Sequence, residues 1–331
     1  MISASQMFPW FGTLKSKEEV VIAIAKVKYE KLAALKLELF FQVKSAFHQL
    51  VFLNKKQLVI KENIRIYKSL ESIALAKVES GQSSAADVLR IQSKLLALEL
   101  EFIILGNNRV PYESKINELT KRPLENSVVI DDSIVRPTLE IVDSETYRLK
   151  IEKHHPLITQ IDYKIETSKR IAELNEDLNK PSLGFGVDYS LVRKRKDANP
   201  SFNGRDILVP KVMLSVPIYR KAYHAKGKQE ELVQESLYLE KEIVVDRMMN
   251  LLVKYRVEHT NARLAEELAI KQKAITNSAY EILIAQYSSS GSGFEELLMV
   301  QNQLLAFDLD VYKAKLETSL SLDRIERITN F

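Results

Sequence analysis

The chain has 331 residues, 46% hydrophobic and 28% charged, with a formal net charge of +4 from 48 basic and 44 acidic side chains. That mixture excludes disorder by composition, and so even a balance of charge gives no footing for nucleic acid. Cysteine is absent, which excludes disulfides, thiolate metal centres and cysteine nucleophiles. No run of about 18 apolar residues occurs, so no transmembrane helix is expected; barrel strands, which need only about ten alternating residues, are not excluded by this. Met1 is followed by neither the basic region nor the apolar core of a secretory signal.

The first element, Ile2 to Trp10, reads as a short strand that exits through Pro9, Trp10 and Phe11. Proline donates nothing to a sheet ladder, and aromatic rings settle at headgroup level, so this exit suits a membrane interface. From about Lys15 to Ser80 there is neither proline nor glycine. A helix over that run would reach about 100 Å at a rise of about 1.5 Å per residue. Ordinary soluble helices average three or four turns, so one this long needs a lengthwise partner. Phe52, Val59, Ile66 and Ile73 are spaced by seven, as are Leu53, Ile60, Tyr67 and Ala74. A sustained seven-residue period specifies a left-handed coiled coil. Two adjacent seams make a stripe wide enough to touch neighbours on both sides, as in a sheet or barrel of helices. The alternative is an amphipathic helix in an ordinary bundle. Gly81 to Ser84 then form a small-residue turn, and a return helix is expected from about Ala85 to Lys121.

Downstream, a helix is predicted over Leu157 to Asn179, opened by Pro156. In the strand Leu183 to Leu191, Leu183, Phe185, Val187, Tyr189 and Leu191 alternate with Gly184, Gly186, Asp188 and Ser190. A second strand, Leu208 to Ile218, sets Leu208, Val212, Leu214, Val216 and Ile218 on one face, and a polar loop from Arg193 to Asp206 joins the two. Period-two alternation over about ten residues is the barrel-strand pattern. Pro217 and Tyr219 then lead into a second long helix, to Ser290, followed by the turn Ser288 to Gly293 and a return helix from Phe294 to Thr329.

The halves resemble one another. Asp87 to Ala97 matches Glu296 to Ala306 at an offset of 209 positions, and Pro9 answers to Pro217 at an offset of 208. Val88, Leu95 and Phe102 answer to Leu297, Leu304 and Val311; Leu89, Leu96 and Ile103 answer to Leu298, Leu305 and Tyr312. The expected fold class is therefore mainly α with a small β part: long antiparallel coiled-coil hairpins forming an α-barrel, plus transmembrane β-strands, in two internal repeats. The repeats span 1–127 and 128–331. Membrane strands fall within 1–11 and 183–218, and the helical part within 13–182 and 219–331.

Catalytic patterns are missing. His154 and His155 are the one histidine cluster, and neighbours in sequence point to different helix faces, so a structural or solvated role is expected rather than a metal site. Gly184-Phe185-Gly186 lies inside a strand with no helix start after it, so it is no nucleotide loop. Arg193 to Lys196 is a basic cluster that reads either as an outward hairpin tip near anionic lipid or as a solvated turn. Glycine at 81, 291 and 293 has a purely structural reading, since a tight turn needs positive φ or small residues. No enzyme and no cofactor are expected.

The doubled series DVLRIQSKLLALE and ELLMVQNQLLAFD, the strand exits SQMFPWFG and MLSVPIYRK, and the segments HHPLITQIDYKIE and PSLGFGVDYS resemble the TolC family of outer-membrane efflux proteins across essentially the whole chain. The resemblance implies a homotrimer with a twelve-stranded β-barrel in the outer-membrane lipid and a long α-barrel crossing the periplasm. It also implies docking to a periplasmic adaptor (membrane fusion protein) and an inner-membrane pump of resistance-nodulation-division or ABC type, for efflux or type I secretion. A soluble coiled-coil scaffold or a periplasmic adaptor is the competing reading. By resemblance, Gly81, Ser83, Ser84, Ser289, Gly291 and Gly293 form the periplasmic tip that meets the adaptor. Asp87 and Tyr287 fall where neighbouring hairpins are tied near the closed end, the carboxylate accepting from the hydroxyl. Glu296 falls where an acidic ring narrows the pore. Met299 and Ser292 depart from the pattern, standing where a second acidic ring and a basic latch occur. The alternative for Asp87 and Glu296 is simple favour at a helix N-terminus. Pro9, Trp10, Phe11, Pro217 and Tyr219 mark the membrane interface. The first half starts only at its second strand, which predicts a native start upstream of Met1, with roughly 70–110 further residues judged from the repeat.

Overall fold

The structure, a computed structural model, describes residues 1–130, 143–198 and 200–329. Among them the order is β1 (Ile2–Phe8), α1 (Thr13–Glu79), α2 (Ala85–Asn107), α3 (Val110–Leu119), α4 (Ser144–His154), α5 (Pro156–Leu178), β2 (Ser182–Ser190), β3 (Ile207–Ser215), α6 (Lys221–Ser290) and α7 (Phe294–Thr329). The chain is mostly helical with one small antiparallel sheet. It divides into two compact units, one of residues 1–34 and 149–247 and one of residues 35–148 and 248–331. No helix among the described residues is long and apolar enough to cross a membrane.

The first unit holds the sheet, in the order β1-β2-β3. Ile2 pairs with Tyr189 and Phe8 with Leu183; Ser182 pairs with Ser215 and Ser190 with Ile207. β1 stops at Phe8, short of the expected end at Trp10, because Pro9 lacks the N–H that a ladder needs, and β3 stops at Ser215, short of Ile218, opposite Ser182 where β2 itself begins. The pairing sorts side chains by face. One face carries Ile2, Ala4, Gln6 and Phe8 beside Leu183, Phe185, Val187 and Tyr189, then Leu208, Pro210, Val212 and Leu214. The other carries Ser3, Ser5 and Met7, then Gly184, Gly186 and Asp188, then Val209, Lys211 and Met213.

α5 packs Ile158, Ile161 and Ile165 inward, the 3- and 4-residue spacing of an amphipathic helix. Its start is capped by His155, whose Nδ1 accepts from the Leu157 amide at 3.2 Å, with Pro156 in the first turn. His155 is buried in this role. Ser168 on α5 donates to the buried Glu230 carboxylate of α6 at 2.7 Å, and Lys226 closes on Glu230 at 2.6 Å, so the buried charge has both a donor and a cation.

The second unit is built on the predicted seams. Leu53, Ile60, Tyr67 and Ala74 of α1 are all buried, and they meet Val88, Ile91, Leu95 and Leu98 of α2 and Leu297 and Leu305 of α7 in one apolar cluster. Val59, Ile66 and Ile73, the adjacent seam, lie half-buried against the same cluster. Burial pushes the Tyr67 hydroxyl up to about 12. α7 is the single long return helix that was expected, but its counterpart in the first half is not. The stretch 85–121 breaks at Asn108 and Arg109 into α2 and α3. Pro111 is the cause: it has no N–H for the Asn107 carbonyl, and the chain re-enters helix with Glu113 bonding back to Arg109 at 3.0 Å. α4 was not anticipated; Asp143 caps it, accepting from the Thr146 amide at 2.9 Å.

Candidate functional site

The turns between the long and returning helices gather most of the predicted tip residues. α1 ends in a Schellman motif: the Gly81 amide donates to the Val78 carbonyl at 3.0 Å, the Gln82 amide to that of Lys77 at 2.8 Å, and Gly81 has φ +72°. α6 ends with Gly291 at φ +73°, its amide donating to the Tyr287 carbonyl at 2.9 Å. Ser84 then caps α2, its hydroxyl accepting from the Ala86 amide at 3.2 Å. Gly293, also at positive φ, leads into α7. Ser84, Ser289 and Ser292 are exposed, and Ser83 is half-buried.

The two turns touch. The Lys77 ammonium donates to the Gln82 side chain at 2.8 Å and to the Ser289 carbonyl at 3.3 Å. Arg90 of α2 meets Glu295 of α7 at 2.6 Å and stands 4.0 Å from Asp87. Sequence reasoning missed this bridge, since nothing in two charges 205 positions apart announces it. Tyr287 is fully buried, its ring 5.3 Å from that of Phe294. Within the chain Asp87 and Tyr287 do not bond directly as expected. Ser83 stands between them, donating to Asp87 at 2.6 Å and lying 3.3 Å from the Tyr287 hydroxyl. Asp87 and Glu296 both lie in first helical turns, where the helix dipole favours a carboxylate. Glu296 and Met299 are exposed.

The sheet end is different in character. Phe185, Val212, Leu214 and Leu208 all lie exposed on the apolar face, and the Phe8 and Phe185 rings lie 6.3 Å apart there. On the opposite face Asp188 is buried between Ser3, whose hydroxyl donates to it at 2.5 Å, and Lys211. A Cβ at Gly184 would collide with the Met7 sulfur, so the bare α-carbon there makes room for Met7 and Met213. At the sheet exit Trp10 and Phe11 stack edge to face at 5.9 Å, and Phe11 and Tyr219 stand exposed. Pro9, Trp10 and Pro217, with Lys17, Asp177 and Tyr223, line a cavity of 650 Å³. Asp177 there accepts from Ser16 at 2.5 Å and pairs with Lys180 at 2.7 Å. These bonds, the Lys180 one first, hold its carboxyl below the usual range.

No family model matches the sequence, and no curated protein matches it. Solved structures do. The outer-membrane channel OprN superposes with a TM-score of 0.81 at 15% identity, over 99% of this chain and 74% of that one. The Campylobacter jejuni CmeC outer membrane channel superposes at 0.78 with 14% identity, over 99% and 70%. The outer membrane protein VceC from Vibrio cholerae superposes at 0.76 with 10% identity, over 99% and 78%. The fold is that of the outer-membrane channels. Among the described residues no group of three or more His, Cys, Asp or Glu is disposed to hold a metal ion. In the loop 193–206, Arg195 bonds Asp197 at 2.8 Å, and its backbone is clamped by Asn203 at 2.8 and 3.0 Å; Asn199 lies outside the described residues.

Proposed function

We propose that the chain is one subunit of a passive export duct of the TolC type, seated in the outer membrane with its helices in the periplasm, and that it is not an enzyme. The sheet carries this reading. One face is apolar along all three strands apart from Gln6, while the opposite face holds serine, glycine, methionine, Val209, Asp188 and Lys211. A sheet in water has no use for an uncovered apolar face, whereas a barrel wall between lipid and an aqueous lumen needs that division. Pro9, Trp10, Phe11, Pro217 and Tyr219 then fall at the lipid boundary.

A duplicated unit, 1–127 and 128–331, accounts for the paired turns and seams. The tip residues Gly81, Ser83, Ser84, Ser289, Gly291 and Gly293 are the contact for a periplasmic adaptor, which links the duct to an inner-membrane pump of resistance-nodulation-division or ABC type. Asp87, Tyr287 and Glu296 narrow or latch the periplasmic end, three copies of each converging in a homotrimer. The pore requires no cofactor.

Exposed seams support assembly. Leu89, Leu96 and Ile103 on α2 and Leu268, Ile275 and Ile282 on α6 all stand more than half exposed. Each contributes about 2 kcal/mol when fully covered. The test is expression of the gene, fractionation and detergent extraction, followed by mass measurement and planar-bilayer recording. An outer-membrane trimer that conducts supports the duct. A water-soluble protein that never enters the membrane fraction overturns it in favour of a soluble scaffold or adaptor, a reading that leaves the apolar sheet face without a purpose.

A further inference from the structure

β2 and β3 are joined by the loop 191–206, described apart from Asn199, where an ordinary hairpin spends about two to five residues. A connection so long is either loose or shaped to a purpose, and this one is shaped. At its base the Asp206 carboxylate accepts from the Val192 amide at 3.1 Å and from the Tyr189 hydroxyl at 2.5 Å. Farther out, Asn203 holds the Arg195 backbone, and its Nδ2 also donates to the Ala198 carbonyl at 3.3 Å. Gly204, at φ +79°, leaves the room in which the Lys194 stem lies; a Cβ there would collide with it. The Arg205 guanidinium lies 5.3 Å from the centre of the Phe202 ring.

What this frame holds in place is positive charge. Arg193, Lys194, Arg195, Lys196 and Arg205 are set against only Asp197 and Asp206. Asp197 is taken by Arg195 at 2.8 Å, and Asp206 by the bonds at the base. Among the described residues Arg193, Lys194, Lys196 and Arg205 have no carboxylate within ion-pair distance, and all four are exposed. Like charges held together repel one another, and an anion carrying more than one charge relieves that repulsion. Apolar surface adjoins them. Leu191, two positions before Arg193, and Phe202, under Arg205, are 70% and 75% exposed, and Leu208 and Phe185 carry the bare face onward.

The loop lies at the end of the sheet opposite the helices, which join at Phe8, Ser182 and Ser215. Strand β2 between the two ends has nine residues. That is about 30 Å of extended chain, which a tilt of about 40° fits to an apolar band ~25 Å tall. We propose that the loop binds a lipid of the outer leaflet that carries two phosphates on a sugar headgroup. The phosphates meet Arg193, Lys194, Lys196 and Arg205, and the acyl chains lie along Leu208 and Phe185. This rests on the duct reading above, which sets the helices in the periplasm and the loop at that leaflet. Guanidinium and ammonium groups both bind phosphate oxygens through charge-assisted hydrogen bonds. Free phosphate would leave the apolar flank unused, and a singly charged phospholipid would leave most of the cations unmet.

The full chain, purified in detergent, is titrated with diphosphoryl lipid A, monophosphoryl lipid A, phosphatidylglycerol and inorganic phosphate, with binding read by native mass spectrometry. Removing three cations, in Arg193→Gln/Lys194→Gln/Lys196→Gln, is expected to weaken binding of the diphosphoryl form about 100-fold. The clamps run through backbone, Asn203 and Asp206, so the exposed cations can go without undoing the loop. Lys28→Gln/Lys31→Gln/Lys36→Gln removes the same charge from exposed positions on α1 and should change nothing. Arg193→Lys/Arg205→Lys, which keeps the charge, should retain most of the binding. Equal loss in the α1 variant, displacement of the lipid by inorganic phosphate, or equally tight phosphatidylglycerol overturns the proposal. A trimer that conducts without preferring the diphosphoryl lipid overturns it and leaves the duct standing. A chain that never enters the membrane fraction removes the duct and this proposal with it.

Discussion

Gly291 in the second turn lies against the backbone of Gln82 in the first, so closely that a Cβ there would fall 2.4 Å from the Gln82 carbonyl oxygen. Gly291 is also held at φ +73°. Gly291→Ala is therefore doubly opposed, by strain and by collision with backbone that cannot swing aside, and is expected to loosen the paired turns by about 1–3 kcal/mol. Gly81 has the same φ but open space around it, so Gly81→Ala meets only the strain. Hydrogen exchange at amides 81–87 and 291–297 should rank the two variants in that order, and equal protection would refute the contact.

Ser83 joins Tyr287 to Asp87, and Ser83→Ala leaves a fully buried tyrosine hydroxyl without its neighbour. The expected cost is about 1–2 kcal/mol of local stability. In a Tyr287→Phe background the same serine change should cost less, because the stranded hydroxyl is gone. A double-mutant cycle read by denaturant or hydrogen exchange measures the coupling, and strictly additive effects would remove Ser83 from the link.

Asp177 gives a pH dependence at the strand-to-helix junction. Its carboxyl is held low, first by Lys180 and then by Ser16. The unfolded chain takes up a proton at a higher pH than the folded one. The ionised group thus contributes stability above the ordinary carboxylate range, and that contribution is lost as pH falls through the folded value. Asp177→Asn should lower stability at neutral pH by about 1 kcal/mol, and the gap to wild type should close on acidification. Scanning calorimetry across that range checks the sign; a gap that widens in acid is the contrary result.

The two sheet faces predict opposite tolerance. Phe185→Lys places an ammonium on the apolar face, and at mid-membrane it is expected to cost about 2–4 kcal/mol of insertion free energy. Ser5→Lys, on the polar face, should leave insertion unchanged and alter ion selectivity. Outer-membrane yield and reversal potential separate the two, and equal yields would argue against a lipid-facing sheet.

Much of this was legible in the residues because it is periodic. The seams Leu53–Ile60–Tyr67–Ala74 and Val88–Leu95 announce helices that need company, and both turn glycines sit where helices must stop. The alternation around Phe185 foretold which side of β2 is bare. Features set by a single local event were less visible. Pro111 was present to be read, but a proline in the second position of a helix interrupts it or starts it depending on the turn before. The Asp143 cap of α4 announces a helix of too few apolar residues for periodicity to register. Contacts between distant segments left no trace: Arg90 with Glu295, Gln301 with Asn63, and Ser83 between Asp87 and Tyr287 depend on which helices the chain lays side by side.

β1 and β3 flank β2 antiparallel on either side and so point the same way. If such sheets are set around an axis, the outer strand of one and the outer strand of the next advance together, and their amides and carbonyls line up in slanted rungs rather than perpendicular ones. A wall made of three-stranded panels alone thus carries one like-directed join per panel, and that join is its weakest line under strain. A fourth strand of opposite sense in each panel would turn every rung of the wall perpendicular.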